Sequence, residues 1–302
     1  MMMKSEKGVV VATSGRLFEV RAEDGSHFKC EVRQKVKHIA VDTTPVAVGD
    51  DVLFTRTDDA HGAIDQVMER RTAFLRPSVG RETIMQILAS NLDRLAAVVS
   101  IKSPPLKTSL IDRFLIAADM GSLEPLIVIN KMDMKHPSDI EQIISAYRAL
   151  GYDVIPVSAL TGDGLDILRE HLANHRTLFA GHSGVGKSTI LNSLIPGLNL
   201  KTRSVSSHTN KGKHTTTNIK MFELPDGGFV VDSPGLKVMG LWEIDRENLP
   251  YYYRDFEPYY AKCRFHPCSH IHEPGCAVKA AVENGEIASF RYDNYVAIAD
   301  TL

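Results

Sequence analysis

The feature that most constrains this chain is a pair of loops and the order in which they occur. "VINKMD" occupies residues 128–133 and "GHSGVGKS" residues 181–188. Each ends an apolar run, "PLIVIN" and "TLFA" respectively. "RLAAVVSI" and "DVIPVSA" are two more such runs, and "SLIDRFLIAADM", "SDIEQIISAYRAL" and "GLDILREHL" read as amphipathic helices between them. Near-continuous apolar strands alternating with helices predict a mostly parallel α/β sheet covered on both faces. In such sheets ligands bind beyond the carboxyl ends of the strands, where both loops fall.

Gly181-His182-Ser183-Gly184-Val185-Gly186-Lys187-Ser188 fits the phosphate-binding pattern G-x-x-x-x-G-K-[ST], and the helical run "STILNSLI" continues through Thr189. The glycines let successive N–H groups turn toward phosphate oxygens, and the helix that follows offers its positive end. Lys187 would reach the β- and γ-phosphates and Ser188 would ligate Mg²⁺. Asp232-Ser233-Pro234-Gly235 ends a further strand, "GGFVVD". Asp232 there can hold Mg²⁺ through water, and the Gly235 N–H can bond a γ-phosphate. Between the two motifs lies "NKGKHTTTNIK". A hydroxyl from this loop would complete the Mg²⁺ shell, with Thr215 and Thr216 as alternatives.

Asn130-Lys131-Met132-Asp133 suits a guanine base. The Asp133 carboxylate can accept from N1–H and the exocyclic amine, and adenine offers neither in that geometry. The Lys131 stem can cover one face of the ring. Asn130 can tie this loop to the phosphate loop, and Ser158-Ala159 can offer a backbone N–H to O6. The chain order is therefore base, base, phosphate loop, then the two switch segments. Ras-like proteins begin with the phosphate loop. Because domain termini usually lie close together, joining them and cutting elsewhere preserves the packed fold. The reading is a circularly permuted Ras-like P-loop GTPase domain.

Residues 8–68 carry five short strands separated by turns such as Ser14-Gly15 and Glu23-Asp24-Gly25-Ser26. That pattern predicts an OB-like β-barrel, which hides the edges a flat sheet would expose. The expected division is a barrel over 1–70, a polar linker over 71–83, the GTPase domain over 84–240 and a helical zinc-binding domain over 241–302. The net charge of −2 excludes an argument for nucleic-acid binding from the whole molecule. Residues 201–222 nevertheless hold five Lys or Arg (Lys201, Arg203, Lys211, Lys213, Lys220), with His208 and His214, and no acid. No apolar stretch approaches the roughly 20 residues of a membrane span, so a cytoplasmic monomer without membrane contact is expected. Three of the four cysteines fall within "CRFHPCSHIHEPGC". Without an export signal, Cys263, Cys268 and Cys276 fit a closed Cys₃His structural zinc site better than disulfides. His266, His270 and His272 compete for the fourth position. Cys30 reads as an ordinary barrel residue.

"NKMD", "VSAL", "GHSGVGKST", "GKHTTT", "DSPG" and Cys263-x4-Cys268-x-His270-x5-Cys276 together resemble the circularly permuted ribosome-associated GTPases of the RsgA (YjeQ/YloQ) family, over essentially the whole chain. The resemblance selects His270 as the fourth zinc ligand. It implies GTP hydrolysis stimulated by the small (30S) ribosomal subunit, binding to its rRNA, and a role in late maturation of that subunit. It also suggests His214 as the group that positions water, because the residue after D-S-P-G is Leu236, which cannot hydrogen-bond to water as glutamine does in Ras-like enzymes. Since the second switch runs straight into the cysteine-bearing domain, a three-domain clamp is expected, in which a γ-phosphate pulling on Gly235 pulls on that domain. The rival readings are a GTP-sensing RNA-binding assembly protein with negligible hydrolysis, and another P-loop NTPase.

Overall fold

The computed structural model describes residues 5–33, 36, 45–78, 81–201, 219–232 and 244–302. Gly235, Leu236, His214, Thr215, Thr216 and most of the basic stretch lie outside the described residues.

Five strands form the barrel: β1 (Glu6–Ser14), β2 (Leu17–Ala22), β3 (His27–Val32), β4 (Asp51–Arg56) and β5 (His61–Val67). Strand β1 pairs with both β2 and β4, β2 with β3, β3 with β5 in parallel, and β5 with β4, which closes the ring. The period-two pattern sets which side chains point inward. In β3, Phe28 and Cys30 are buried while Lys29 and Glu31 are exposed. Strand β1 serves two cores at once. Val10 packs inside the barrel, and Val11 packs with the interior of the neighbouring α/β domain.

The stretch expected as a polar linker is instead largely a hairpin of β6 (Ala73–Ser78) and β7 (Arg81–Ser90). Its charged near end hides the strand that follows, where Ile87, Leu88 and Ala89 are buried. Pro77 is tolerated because a two-stranded ribbon leaves one side of each strand unpaired.

The α/β domain runs β8 (Arg94–Ser100), α1 (Thr108–Met120), β9 (Glu124–Asn130), α2 (Ile140–Ala149), β10 (Asp153–Pro156), α3 (Leu165–Leu172), β11 (Arg176–Ala180), α4 (Lys187–Leu194), β12 (Lys220–Glu223) and β13 (Phe229–Asp232). Its strands lie in the order β10-β9-β8-β11-β13-β12, all parallel except β12. Counted from the phosphate-loop strand β11 as the first and β10 as the sixth, the spatial order reads 6-5-4-1-3-2. The permutation therefore alters connectivity and leaves the layer intact. Leu95, Ala97 and Val99 of β8 pack on one face with α1 and α2, and Ala96 and Val98 on the other with α3 and α4. Strand β12 also pairs with β1 at Ala12–Lys220, so barrel and domain share one continuous sheet.

The C-terminal region has two 3₁₀ turns (Leu249–Tyr252 and Glu257–Lys262), α5 (Ala277–Glu283) and α6 (Ser289–Ala299). Tyr253, Phe256, Tyr295 and Ile298 form its core, which takes in Ile116 of α1. Among the described residues no helix is long and apolar enough to cross a membrane.

Candidate nucleotide site and metal centre

Strands β9, β10 and β11 end on one edge of the sheet, and their loops meet at Asn130. Its side-chain amide donates to the Val185 carbonyl of the phosphate loop at 2.8 Å. Its Oδ1 accepts from the Lys131 N–H at 2.8 Å and from the Ala159 N–H at 3.1 Å. One buried side chain thus fixes all three loops. The junction also explains Gly186. A Cβ there would lie 2.2 Å from Asn130 Nδ2, and the backbone has φ +100°. Neither condition admits another residue.

Lys131 carries φ +67°, and its ammonium donates to the Gly184 carbonyl at 2.7 Å, the Lys102 carbonyl at 3.2 Å and the Ser103 carbonyl. Its stem is thereby drawn across the phosphate-loop side of the motif. Burial pulls the ammonium below its usual range, with Asp133 opposing. Met132 bonds back through its N–H to the Val157 carbonyl and leans on the core beneath. Asp133 is exposed, and Ser158 Oγ donates to its Oδ1 at 2.6 Å, which aims the carboxylate. The backbone N–H groups of Ser158 and Ala159 both have partners within the chain: Asp163 O at 2.9 Å and Asn130 Oδ1. Neither is the uncommitted donor for a guanine O6 that the motif suggests. Two contributors carry no motif. The Lys102–Ser103 turn is marked in sequence only by the Ser103-Pro104-Pro105 run, and Ser193 of α4 donates to the Ala159 carbonyl at 3.1 Å.

The phosphate loop leads from β11 through Gly181, His182, Ser183, Gly184 and Val185 into α4, where Ser188 and Thr189 follow Lys187 in the first turn. A Cβ on Gly181 would lie 2.1 Å from the Val98 carbonyl of β8, so the loop can cross that strand only as glycine. Lys187 Nζ donates to the Gly181 carbonyl at 2.6 Å and the His182 carbonyl at 3.2 Å. Strand β13 delivers Asp232 beside Phe179, one residue before β11 ends. Burial lowers the pKa of Lys187 and raises that of Asp232, each partly offset by the other. Asp232 Oδ1 is buried and, among the described residues, has no hydrogen-bond partner. A half-buried ammonium and an orphaned carboxylate oxygen beside a glycine loop fit a polyphosphate and a hydrated divalent cation: each ion supplies the charge that its neighbour lacks.

The second constellation lies at the C-terminal end. Cys263 Sγ, Cys268 Sγ, Cys276 Sγ and a His270 ring nitrogen all fall within 4.8 Å of one another. His270 Nδ1 is 3.4 Å from Cys276 Sγ and 3.6 Å from Cys263 Sγ, and the two sulfurs are 4.0 Å apart. Tetrahedral zinc–thiolate bonds would set sulfurs about 3.8 Å apart. The donor set fits that ion. His266 and His272 are not in the cluster. Tyr260 stacks on the His270 ring with centroids 5.9 Å apart, and the Tyr292 hydroxyl donates to the His270 carbonyl at 2.8 Å. Burial pushes the Cys268 thiol up to about 12 and raises Cys276, while it lowers His270. A divalent ion would offset that cost by taking the thiolates directly.

Residues 67–242 match the RsgA GTPase family. The chain is 41% identical to the small ribosomal subunit biogenesis GTPase RsgA of Chlorobaculum tepidum, covering 100% of this chain and 99% of that one. It is 37% identical to the protein of the same name from Bacteroides fragilis, over 97% and 96% of the two chains. Among solved structures it resembles YjeQ from Thermotoga maritima (34% identity, TM-score 0.78, 99% of both chains) and YloQ, described as a circularly permuted GTPase (28% identity, TM-score 0.73, 99% of this chain and 95% of that one). Family match, full-length identity and shared architecture agree: the chain belongs to the RsgA GTPase family.

Proposed function

We propose that this chain hydrolyses GTP while bound to the small (30S) ribosomal subunit and acts late in that subunit's maturation, gripping its rRNA in the GTP state and leaving after hydrolysis. The observation that carries the reading is the junction at Asn130, which holds a guanine-type loop against a phosphate loop as one rigid unit. The full-length relatives, named for small-subunit biogenesis, supply the partner. The expected setting is the cytoplasm.

In this reading Asp133, aimed by Ser158, accepts the two guanine N–H groups. Lys131 and Ala159 line the base, and Met132 anchors the loop from below. The N–H groups of residues 181–189 and the Lys187 ammonium surround the β- and γ-phosphates. Water attacks the γ-phosphorus as the bond to the β–γ bridging oxygen breaks, and Lys187 offsets the charge that gathers there. Ser188, Asp232 through water, and Thr215 or Thr216 would hold Mg²⁺, which neutralises phosphate charge. Gly235 would bond the γ-phosphate. Leu236 leaves the attacking water without its usual partner, so unstimulated turnover is slow, and His214 takes that position when the subunit is bound. Zinc on Cys263, Cys268, His270 and Cys276 is structural, with no open coordination position.

The test is GTP turnover with and without purified small subunits, with large subunits and ATP as controls. A slow basal rate raised many-fold by small subunits alone supports the proposal. Binding to small subunits with flat turnover would convert the protein into a GTP-gated RNA-binding factor. ATP competing equally with GTP would remove the guanine assignment altogether.

A further inference from the structure

The cysteine loop has an unusual tip. Cys263, His270 and Cys276 are buried, yet Arg264, Phe265, His266 and Pro267 between them are all exposed, Phe265 at 43%. The tip is not slack. The Arg264 N–H donates to the Gly275 carbonyl at 3.2 Å, and a Cβ on Gly275 would lie 3.3 Å from Arg264 Cβ, so the two sides of the loop lie against each other just outside the cysteines. Phe265 takes no part in the aromatic core of Tyr253, Phe256, Tyr260 and Tyr295 below it. A large aromatic side chain with 43% of its surface exposed, on a loop whose two sides are bonded together, is available to something else.

Charge identifies the partner. From Pro258 to His272 the chain has no acid, while Lys262, Arg264 and His266 are exposed. The Arg264 guanidinium lies 5.5 Å from the Phe265 ring centroid. An aromatic face with cations at its rim is how proteins hold an unpaired base, since every base has a π-face and its flanking phosphates are anionic. A protein partner fits less well, because a four-residue tip with one aromatic side chain falls far short of the roughly 800 Å² per partner of a stable interface. Duplex RNA keeps its bases stacked and paired, and gives Phe265 no free base face to stack on.

We propose that Arg264, Phe265 and His266 form a stacking platform for one unpaired base of single-stranded RNA, with Lys262 and Arg264 meeting its phosphates. The inference rests on the proposed small-subunit function for its source of RNA. It assigns the cysteine domain a reader of single-stranded structure.

The experiment measures affinity for purified small subunits with a non-hydrolysable GTP analogue, using the full chain with Phe265→Ala and Phe265→Trp. Zinc content and guanine-nucleotide affinity are followed as controls for folding. Phe265→Ala is expected to weaken binding by about 5- to 150-fold, and Phe265→Trp to restore it. Wild-type affinity in Phe265→Ala overturns the platform. A short single-stranded RNA containing 2-aminopurine separates the two proposals. If the wild-type chain ignores small subunits, the proposed function fails, yet quenching of the probe that disappears in Phe265→Ala still upholds the platform. An equal response of both chains to that probe overturns it, and leaves Phe265 to a protein contact.

Discussion

The α/β domain meets its two neighbours in different ways. On the C-terminal side the seam is a buried charge knot. Arg291 of α6, 2% exposed, places one guanidinium between Asp112 of α1 and Asp255, bonding the latter at 2.9 and 3.1 Å. Tyr147 of α2 and Asn294 of α6 each donate to Asp112 at 2.7 Å, and the Tyr253 ring lies 4.5 Å from the guanidinium. On the barrel side one buried acid, Asp50, accepts twice from Arg70 at 2.7 Å and once from Ser90 at 2.6 Å. Asn91 Nδ2 adds a buried bond to the Gly49 carbonyl at 3.0 Å, and the ion pairs there are partly exposed, such as Arg176–Asp51 at 2.8 Å and Arg21–Glu223 at 2.6 Å.

The difference bears on how the proposed nucleotide signal would travel. Moving the C-terminal module off α1 would break the Arg291 and Asn294 bonds to Asp112 together and uncover Ile116, which packs in the module's core. The barrel seam runs through β12, the strand that follows residues 202–218, and β12 pairs directly with β1. A change in that basic segment therefore has a backbone connection to the barrel. For the clamp proposed from sequence, the two seams favour the C-terminal module as the fixed jaw and the barrel as the moving one. Like-for-like variants on the two seams can break this contrast.

The largest effect is expected from Arg291→Met, which leaves Asp112 and Asp255 buried without a counter-charge. It should cost about 3–5 kcal/mol in denaturant unfolding. Gly49→Ala comes next. Gly49 has φ +93°, and a Cβ would lie 2.1 Å from the Ser90 carbonyl, so strain of about 1–3 kcal/mol is expected. Faster proteolysis at the barrel seam, with guanine-nucleotide affinity unchanged, would show that the strain is local. Ser90→Ala removes one of Asp50's partners but spares Arg70 and the Ala47 N–H, so about 1 kcal/mol is expected from thermal unfolding. Arg21→Ala should change stability by less than about 1 kcal/mol, because the pair it breaks is partly solvated. It should instead narrow the gap in small-subunit affinity between GTP-analogue and GDP states. An Arg291→Met chain as stable as Gly49→Ala would erase the contrast.

What could be read in sequence was local. The phosphate loop, N-K-x-D, the Ser158-Ala159 loop and the cysteine cluster are short patterns in which residue type at fixed spacing is the chemistry. The five barrel strands were legible from period-two alternation between turns. The seams were not, because their partners are far apart in the chain. Asp112 and Arg291 stand 179 residues apart, and each reads as an ordinary charge on an amphipathic helix. Strand β12 is four residues, "KMFE", too short to signal itself, and its partner β1 lies at the other end of the chain. Hairpin β6–β7 was hidden by the charged residues at its start. The cysteine spacing left three histidines open; the family resemblance chose His270, and the fold places its Nδ1 against the sulfurs.

The most direct measurement is hydrogen–deuterium exchange on the full chain, zinc retained, bound to small subunits with a non-hydrolysable GTP analogue and again with GDP. The account predicts a large nucleotide-dependent change in β1 and β12, with α1 and α6 protected equally in both states. Constant protection in β1 and β12 with nucleotide-dependent opening of α6 would contradict it, and would make the C-terminal module the moving jaw.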